Sequence, residues 1–509
     1  MAHRVRWRIG AWLLVCLLTS GFSVTASAAP RTLVVGLDSN PTNLDPRFAT
    51  DAVSYRLTQI LYSSLVRIDD SGKIVPEVAE RLESLDDRTW RVTLKKGVRF
   101  HDGGELSAED VKALLDSIRD PATGSPQLSG LELLQSVEVV DRYTLRLRLR
   151  SAFAPFLANL AIGIPPRRRL ADPELARRPI GSGPFRLVRW SQRERLEVEA
   201  FPGYFGGRPP LDRIVFRVVP DTTVRVLELE QGGLDLAVGP LPPELLPRLS
   251  RRGLKILEVD SINSTYLGLN LQDPILRQKI VRQALAHAID RESIIRHFLG
   301  GHAEIATGLL PPHHWAYAGD GPRYAYDPAR AEQLLEQAGL HRNARGVRVH
   351  VTYKTPTSEG AMQALPEIIQ EMLSRVGIEV SIRSYEWGTF FGDIKKGNFQ
   401  LFHLTWVGIV DPDHYHYVFH SQSFPPRGGN RGRYRNPILD PLLDAGRTTI
   451  DPERRRAIYA QVQRLTAEDL PYIFLWHPKQ LAVMRETVRG FHLTPAGDFT
   501  SLREVSLAP

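Results

Sequence analysis

The stretch I-N-S-T-Y-L-G-L-N-L, Ile262 to Leu271, stands near the middle of the 509-residue chain, and the organisation of the fold turns on it. Thr265, Leu267 and Leu269 alternate with Tyr266, Gly268 and Asn270, a period of two that predicts an extended strand. Pro-rich α/β sequence precedes the stretch, and a second α/β block opens directly behind it at Asp273. The strand therefore stands where one block ends and the next begins.

Working outward, the block behind it repeats a simple rhythm. Strand Val347 to Tyr353, helix Met362 to Val376, strand Ile378 to Tyr385, helix Trp387 to Lys396 and strand Phe399 to Trp406 follow one another. Strands alternating with helices of this length predict a largely parallel sheet covered on both faces. Ile280 to Ile289 is a predicted helix, and Asp327-Pro328 opens another that ends at Gly339. Helices follow near Pro437 to Arg447 and Pro452 to Glu468, and Tyr472 to Met484 is strand-like.

Ahead of the central strand, T-L-V-V-G-L at Thr32 to Leu37 is a buried-strand candidate. A loop carrying Pro41, Asn43, Asp45 and Pro46 leads to a helix over Ala52 to Val66. Ser107, with Asp110 three residues on, predicts a capped helix start. Tyr143 to Leu149 alternates apolar residues with arginine, which suits a sheet with one wet face. Punctuation between Ile164 and Pro184 marks a subdomain boundary. Strands at Phe185 to Trp190, Ile214 to Val219 and Leu234 to Val238, with a helix at Thr222 to Gln231, complete this half.

The length predicts more than one domain. With 42% hydrophobic and 24% charged residues the composition is that of an ordinary folded protein. The first 28 residues stand apart: Arg4, Arg6 and Arg8, an apolar core from Ala11 to Leu18, and Ala26-Ser27-Ala28 together predict a secretory signal peptide cut after Ala28. The only cysteine, Cys16, lies inside that apolar core, so the mature chain forms no disulfide and is no thiol enzyme. A lipoprotein cut before Cys16 is disfavoured, because Val15 is bulky and the apolar core would be halved. The formal charge of +8 falls by the three signal arginines on cleavage. The short clusters Arg167 to Arg169 and Arg454 to Arg456 read as solvated faces, and no nucleic-acid partner is expected. No later apolar run approaches the ~18 residues of a membrane span.

Catalytic motifs are missing. The chain has no G-x-x-x-x-G-K-[ST], H-E-x-x-H, G-x-S-x-G or S-x-x-K pattern. Gly181-Ser182-Gly183 reads as backbone geometry, since nothing in the sequence supplies a base for the serine. In D-P-D-H-Y-H-Y-V-F-H, Asp411 to His420, His416 and His420 would share a helix face and suit a metal. No one conformation aligns His414 with both, and the plainer reading is an aromatic loop and helix start. Trp406 ends a strand where ligands sit in open α/β sheets, and an exposed indole is expected there.

Other segments carry a resemblance. Pro41-Thr42-Asn43-Leu44-Asp45-Pro46, Leu61 to Val66 and Gly72 to Pro76 lead into D-D-R-T-W-R-V-T-L-K-K-G-V-R-F-H-D-G-G-E-L-S-A-E-D at Asp86 to Asp110. P-I-G-S-G-P-F at Pro179 to Phe185, V-R-Q-A-L-A-H-A-I-D at Val281 to Asp290, Tyr385-Glu386-Trp387 and Asp469 to Trp476 follow in order. Together they resemble the dipeptide and oligopeptide-binding proteins of ABC importers (extracellular solute-binding proteins, family 5) across almost the whole mature chain.

The resemblance implies an α/β, two-lobed periplasmic-binding-protein fold (type II) with an extra subdomain inserted in lobe one. It puts lobe one at residues 29–263 plus 480–509, the insert at about 48–180, and lobe two at 264–479. It implies no cofactor and no catalysis. A short peptide or peptide-like solute would be held in the cleft and delivered by a soluble periplasmic monomer to a membrane permease and its ATPase. Its candidate ligand residues are Asn43, Tyr266, Lys354, Trp406, Gly408 and Asp411. In the family an acidic residue soon after this tryptophan meets the peptide ammonium. Laying Asp411-Pro412-Asp413 on the family's D-P-D puts Gly408 in its place, so either Asp411 takes over or the ligand has no free amine there. Lys354 falls near a cation that holds the peptide carboxylate in some relatives, against the plain reading of a surface lysine. A metal complex, haem or another non-peptide solute is the alternative, with His414, His416 and His420 as its weak metal set. A secreted hydrolase is the remote alternative.

Overall fold

The computed structural model describes residues 30–69, 73–239, 241–357 and 362–508. The expected signal peptide, residues 1–28, lies outside the described residues. Ser264–Leu269 forms a strand with all six residues buried. Both of its faces are covered. Leu267 and Leu269 join an apolar cluster with Leu401, Ile473 and Leu475, whereas Tyr266 joins another with Phe402, Trp406 and Tyr472.

This strand is one of twelve in the main sheet. From one edge the order is Ile378–Tyr385, Val349–Pro356, Leu401–Trp406, Ser264–Leu269, Tyr472–Arg485, Leu236–Val238, Thr32–Leu37, Arg213–Val218, Arg195–Ala200 and Phe185–Ser191. Leu254–Asp260 and Ala303–Ile305 also pair with Tyr472–Arg485. The pairing is parallel where helices connect neighbours: Val349–Pro356 with its two partners, and Thr32–Leu37 with its two. The other pairings described in this sheet are antiparallel. The expected largely parallel sheet is therefore mixed. Each half is parallel at its centre, but the passing segments run against their neighbours, and the short turn after Ser191 allows only a hairpin.

Tyr472–Arg485 threads both halves. Its first part pairs with Ser264–Leu269 and Ala303–Ile305, and its second with Leu254–Asp260 and Leu236–Val238. Within it Pro478, Lys479 and the terminal Arg485 are partly exposed and the other residues are buried. Apolar residues before that point enter the clusters of the Ser264–Leu269 half. Ala482 and Met484 enter the cluster around Leu33, Val35, Ile214 and Phe216.

A third apolar cluster runs from Leu65 to Ile164. It backs an antiparallel sheet in the order Ala79–Ser84, Thr89–Leu94, Thr144–Leu149 and Leu134–Asp141. Leu145, Leu147 and Leu149 point inward and Arg148 outward, as the alternation predicts. The Ser107 N–H and hydroxyl both donate to the Asp110 carboxylate at the start of helix Ala108–Arg119, at 3.0 and 2.8 Å.

The helix expected over Ala52 to Val66 stops at Leu61. Beyond it the backbone finds other partners: the Gly183 N–H donates to Leu61 O at 3.1 Å, and the Ile164 N–H to Ser63 O at 2.9 Å. The chains approach closely here. A Cβ on Gly181 would lie 2.1 Å from Leu61 O, and one on Gly183 2.4 Å from Ile60 O. Glycine is required by space, so the pair is backbone geometry, and Ser182 between them is fully buried. Among the described residues no helix is long and apolar enough to cross a membrane.

Candidate ligand-binding site

The loop after Trp406 is suspended from the place where strands pass between the two halves. Trp406 is the register partner of Ser264. The Gly408 N–H donates to Asn263 Oδ1 at 2.9 Å, and the Ile409 N–H to Ile262 O at 2.9 Å. On the other side His477 Nδ1 donates to Asn263 O at 2.9 Å, and the Ser261 hydroxyl donates to Pro478 O. One short crossing thus positions a loop and a β-strand together.

Beside it an aromatic stack surrounds one cation. Tyr266 lies between Tyr472 (centroids 4.1 Å apart) and Trp406 (5.8 Å), its ring nearly parallel to both. The Arg431 guanidinium lies over Trp406 at 4.3 Å and over Phe391 at 5.2 Å, and donates to the Tyr266 hydroxyl at 2.7 Å. Trp387 stacks on Phe391 at 5.5 Å, and Tyr417 meets Trp406 edge-on at 5.9 Å. Trp387, Val407 and Tyr417 expose large apolar area around this group, the kind of surface that binds solutes.

The expected site residues divide. Trp406, Gly408 and Tyr266 come together, but not as expected. Trp406 is only 9% exposed and Tyr266 not at all. Arg431 and the neighbouring rings cover the indole, and the exposed residue is Val407 instead. Gly408 adopts φ +72°, and a Cβ there would meet nothing within 4 Å, so its position opens on free space. Asp411 receives a two-pronged ion pair from Arg455, at 2.6 and 2.8 Å. Arg455 is buried, which corrects the solvated reading of Arg454 to Arg456: its stem lies on the helix face turned toward the Asp411 loop. Lys354 is neither a surface lysine nor a free anchor, because its Nζ pairs with Asp393 at 2.6 Å and sits 5.0 Å over the Tyr385 ring. Asn43 caps its own loop, its Oδ1 accepting the Asp45 N–H at 2.8 Å.

The histidines also separate. His414 packs half-buried against Trp406, 4.9 Å between rings, and desolvation lowers its pKa to about 4. His416 and His420 stack at 4.3 Å, and Asp444 Oδ1 lies 3.5 Å from Nε2 of each. The expected trio is therefore corrected: Asp444 replaces His414, because residues four apart share a helix face and residues two apart do not. His420 Nδ1 accepts the Gln422 N–H at 3.0 Å, which leaves Nε2 turned toward Asp444. Burial, with Arg447 and His420 nearby, lowers the His416 pKa to about 3.

The segment G-G-N-R-G-R-Y, Gly428 to Tyr434, was not singled out in the sequence, yet it supplies Arg431. Asn430 locks it: Nδ2 donates to the carbonyls of Phe419, His420 and Tyr434, and Oδ1 accepts the Tyr434 N–H. Gly429 lets the turn lie flat on the rings, since a Cβ there would be 2.8 Å from both Trp406 and Tyr417. The available signal was an Asn-Arg pair framed by glycines directly behind the aromatic-rich stretch.

Two α/β halves sharing one sheet through crossing strands, with an antiparallel subdomain alongside, define a periplasmic-binding-protein fold, a class that binds solutes without transforming them. The chain belongs to the bacterial extracellular solute-binding proteins, family 5, whose middle-region model matches residues 73–425. It is 29% identical over 525 residues to the dipeptide-binding protein of Escherichia coli K12, covering 97% of this chain and 98% of that protein. The structure of the oligopeptide-binding protein AppA of Bacillus subtilis with a nonapeptide superposes with a TM-score of 0.83 at 29% identity, covering 94% of this chain and 100% of that one. NikZ of Campylobacter jejuni, solved with Ni(L-His), superposes at 0.84 with 25% identity over 94% and 100% of the two chains.

Proposed function

We propose that this protein captures short peptides or a peptide-like solute between two lobes and hands them to a membrane permease driven by a separate ATPase. Lobe one comprises residues 29–263 and 480–509 with its inserted subdomain, and lobe two comprises 264–479. The apolar packing favours an insert starting near Leu65, since the helix Ala52–Leu61 shares its cluster with Leu33 and Val35. The observation that carries the reading is the crossing at Ser261–Asn263 and His477–Lys479. It ties the Trp406–Gly408 loop to the strands Ser264–Leu269 and Tyr472–Arg485, the second of which runs from the clusters of one half into those of the other. A solute touching both sides gains its contacts only when they close, so binding shifts the population toward the closed form. The protein works after export and signal removal, as a monomer, without nucleic acid or cofactor.

Titrating the mature protein with pools of di- to pentapeptides while recording tryptophan emission tests the reading. A saturable change that is lost in Trp406→Phe supports it, and silence with every pool contradicts it.

A second reading, a metal complex as cargo, is favoured by the His416–His420–Asp444 cluster. Stoichiometric nickel or zinc in protein purified without an affinity tag, lost in His416→Ala, would establish it.

A further inference from the structure

Around the aromatic stack the half-buried charges Asp411, Asp413 and Lys354 are answered from within the chain. Asp411 pairs with Arg455 at 2.6 Å, Asp413 with Arg447 at 3.1 Å, and Lys354 with Asp393 at 2.6 Å. Arg431 is 91% buried, yet among the described residues no carboxylate lies within 4.0 Å of it. Among the described residues its guanidinium makes one hydrogen bond, to the Tyr266 hydroxyl. A guanidinium carries five N–H donors in a planar fork. Rings on two sides attract it, but they accept none of those hydrogens. A cation taken out of water with its fork unfilled is costly unless an anion completes it.

We propose that Arg431 is the charge anchor of the solute site, and that the ligand completes its fork with a carboxylate laid against Trp406 and Phe391. The proposal rests on the reading of this face as the solute site, and deepens it. With Lys354 neutralised, the acidic groups Asp393, Asp411 and Asp413 all engaged, and Lys395 over Phe391 exposed to water, Arg431 is the buried cation this face offers a carboxylate. Arg431 is held ready by the Asn430 lock and by Gly429, so the fork does not need to be ordered on binding.

The test uses the mature protein as wild type, Arg431→Gln and Arg431→Lys. Di- and tripeptide pools are prepared in matched free-acid and carboxamide forms, and succinate and inorganic phosphate serve as non-peptide oxyanions. Dissociation constants are read by calorimetry. A charge-assisted fork predicts that wild type binds the acids about 10- to 100-fold tighter than the amides. Arg431→Gln should lose that preference while its amide affinity stays within about 2-fold, and Arg431→Lys should fall between. Equal binding of acid and amide by wild type, or equal losses for both in Arg431→Gln, overturns the proposal while leaving peptide capture intact. Arg431-dependent binding of succinate or phosphate without any peptide binding keeps the anchor and rejects the peptide reading. No binding by any probe rejects the anchor. If Arg431→Gln fails to fold, the acid–amide ratio of wild type and Arg431→Lys decides.

Discussion

Asp411 illustrates how far a side chain can be placed by sequence and how much its neighbours decide. Its position beside the Trp406 loop was legible, but its charge is spent on Arg455, whose side chain is 6% exposed. Removing one partner of such a pair strands the other. Asp411→Ala is expected to cost about 3–5 kcal/mol, read as a lower urea midpoint. A change below about 1 kcal/mol would mean that Arg455 finds another acceptor. Tyr266 was expected as a ligand residue, and its buried ring serves instead to hold Arg431 through its hydroxyl. Tyr266→Phe should therefore lower ligand affinity while leaving the unfolding temperature nearly unchanged, because the ring stack persists and a single neutral hydrogen bond contributes only about 1 kcal/mol. The measurement is a titration beside a thermal scan.

At the scale of elements, hydrophobic period and caps carried most of the information. The helices Thr222–Gln231 and Trp387–Lys396 and the strand Ile378–Tyr385 match their predicted limits to the residue. The miss at Val66 has a physical cause: helix propensity continued, but Gly183 and Ile164 took the backbone carbonyls that the next turn would have used. That close approach makes a prediction. Gly183→Ala must push against Ile60 O and is expected to cost about 1–3 kcal/mol or more. Gly97→Ala, where φ is +75° and no atom lies within 4 Å, should cost only the roughly 1 kcal/mol of a left-handed backbone. Urea midpoints of the two variants check the order, and the reverse order would refute the packing argument.

For the whole molecule, buried and half-buried histidines tie separate segments together. His101 reaches Gly183 O, His314 reaches Val410 O and His477 reaches Asn263 O, each neutral and donating. Burial lowers these three and His414 to about 4, and His416 to about 3. Between those values and the ordinary value of 6.5, the unfolded chain binds more protons than the folded one. Stability is therefore complete above pH 6.5 and is lost as pH falls toward 4. Asp413, raised to about 6 by burial, opposes this, as do Glu77 and Asp235, also raised. The histidines outnumber them, and the unfolding temperature is expected to drop steadily from pH 6.5 to 4 in scans at constant ionic strength. A flat or rising profile would refute it. Closure is the second property at this scale: saturating ligand should shrink the radius of gyration measured by X-ray scattering.

The alternations, caps and ordered motifs of this chain were enough by themselves to determine most of its longer elements and its family. They depend on neighbours one to four residues away, which a sequence displays directly. The identity of the unanswered charge was decided only in three dimensions. Asp411 and Arg455 are separated by 44 residues, Tyr266 and Arg431 by 165, and no local period records which distant partner neutralises a group. Only the packed structure shows that Arg431, alone of the buried charges beside Trp406, meets a hydroxyl and no carboxylate among the described residues.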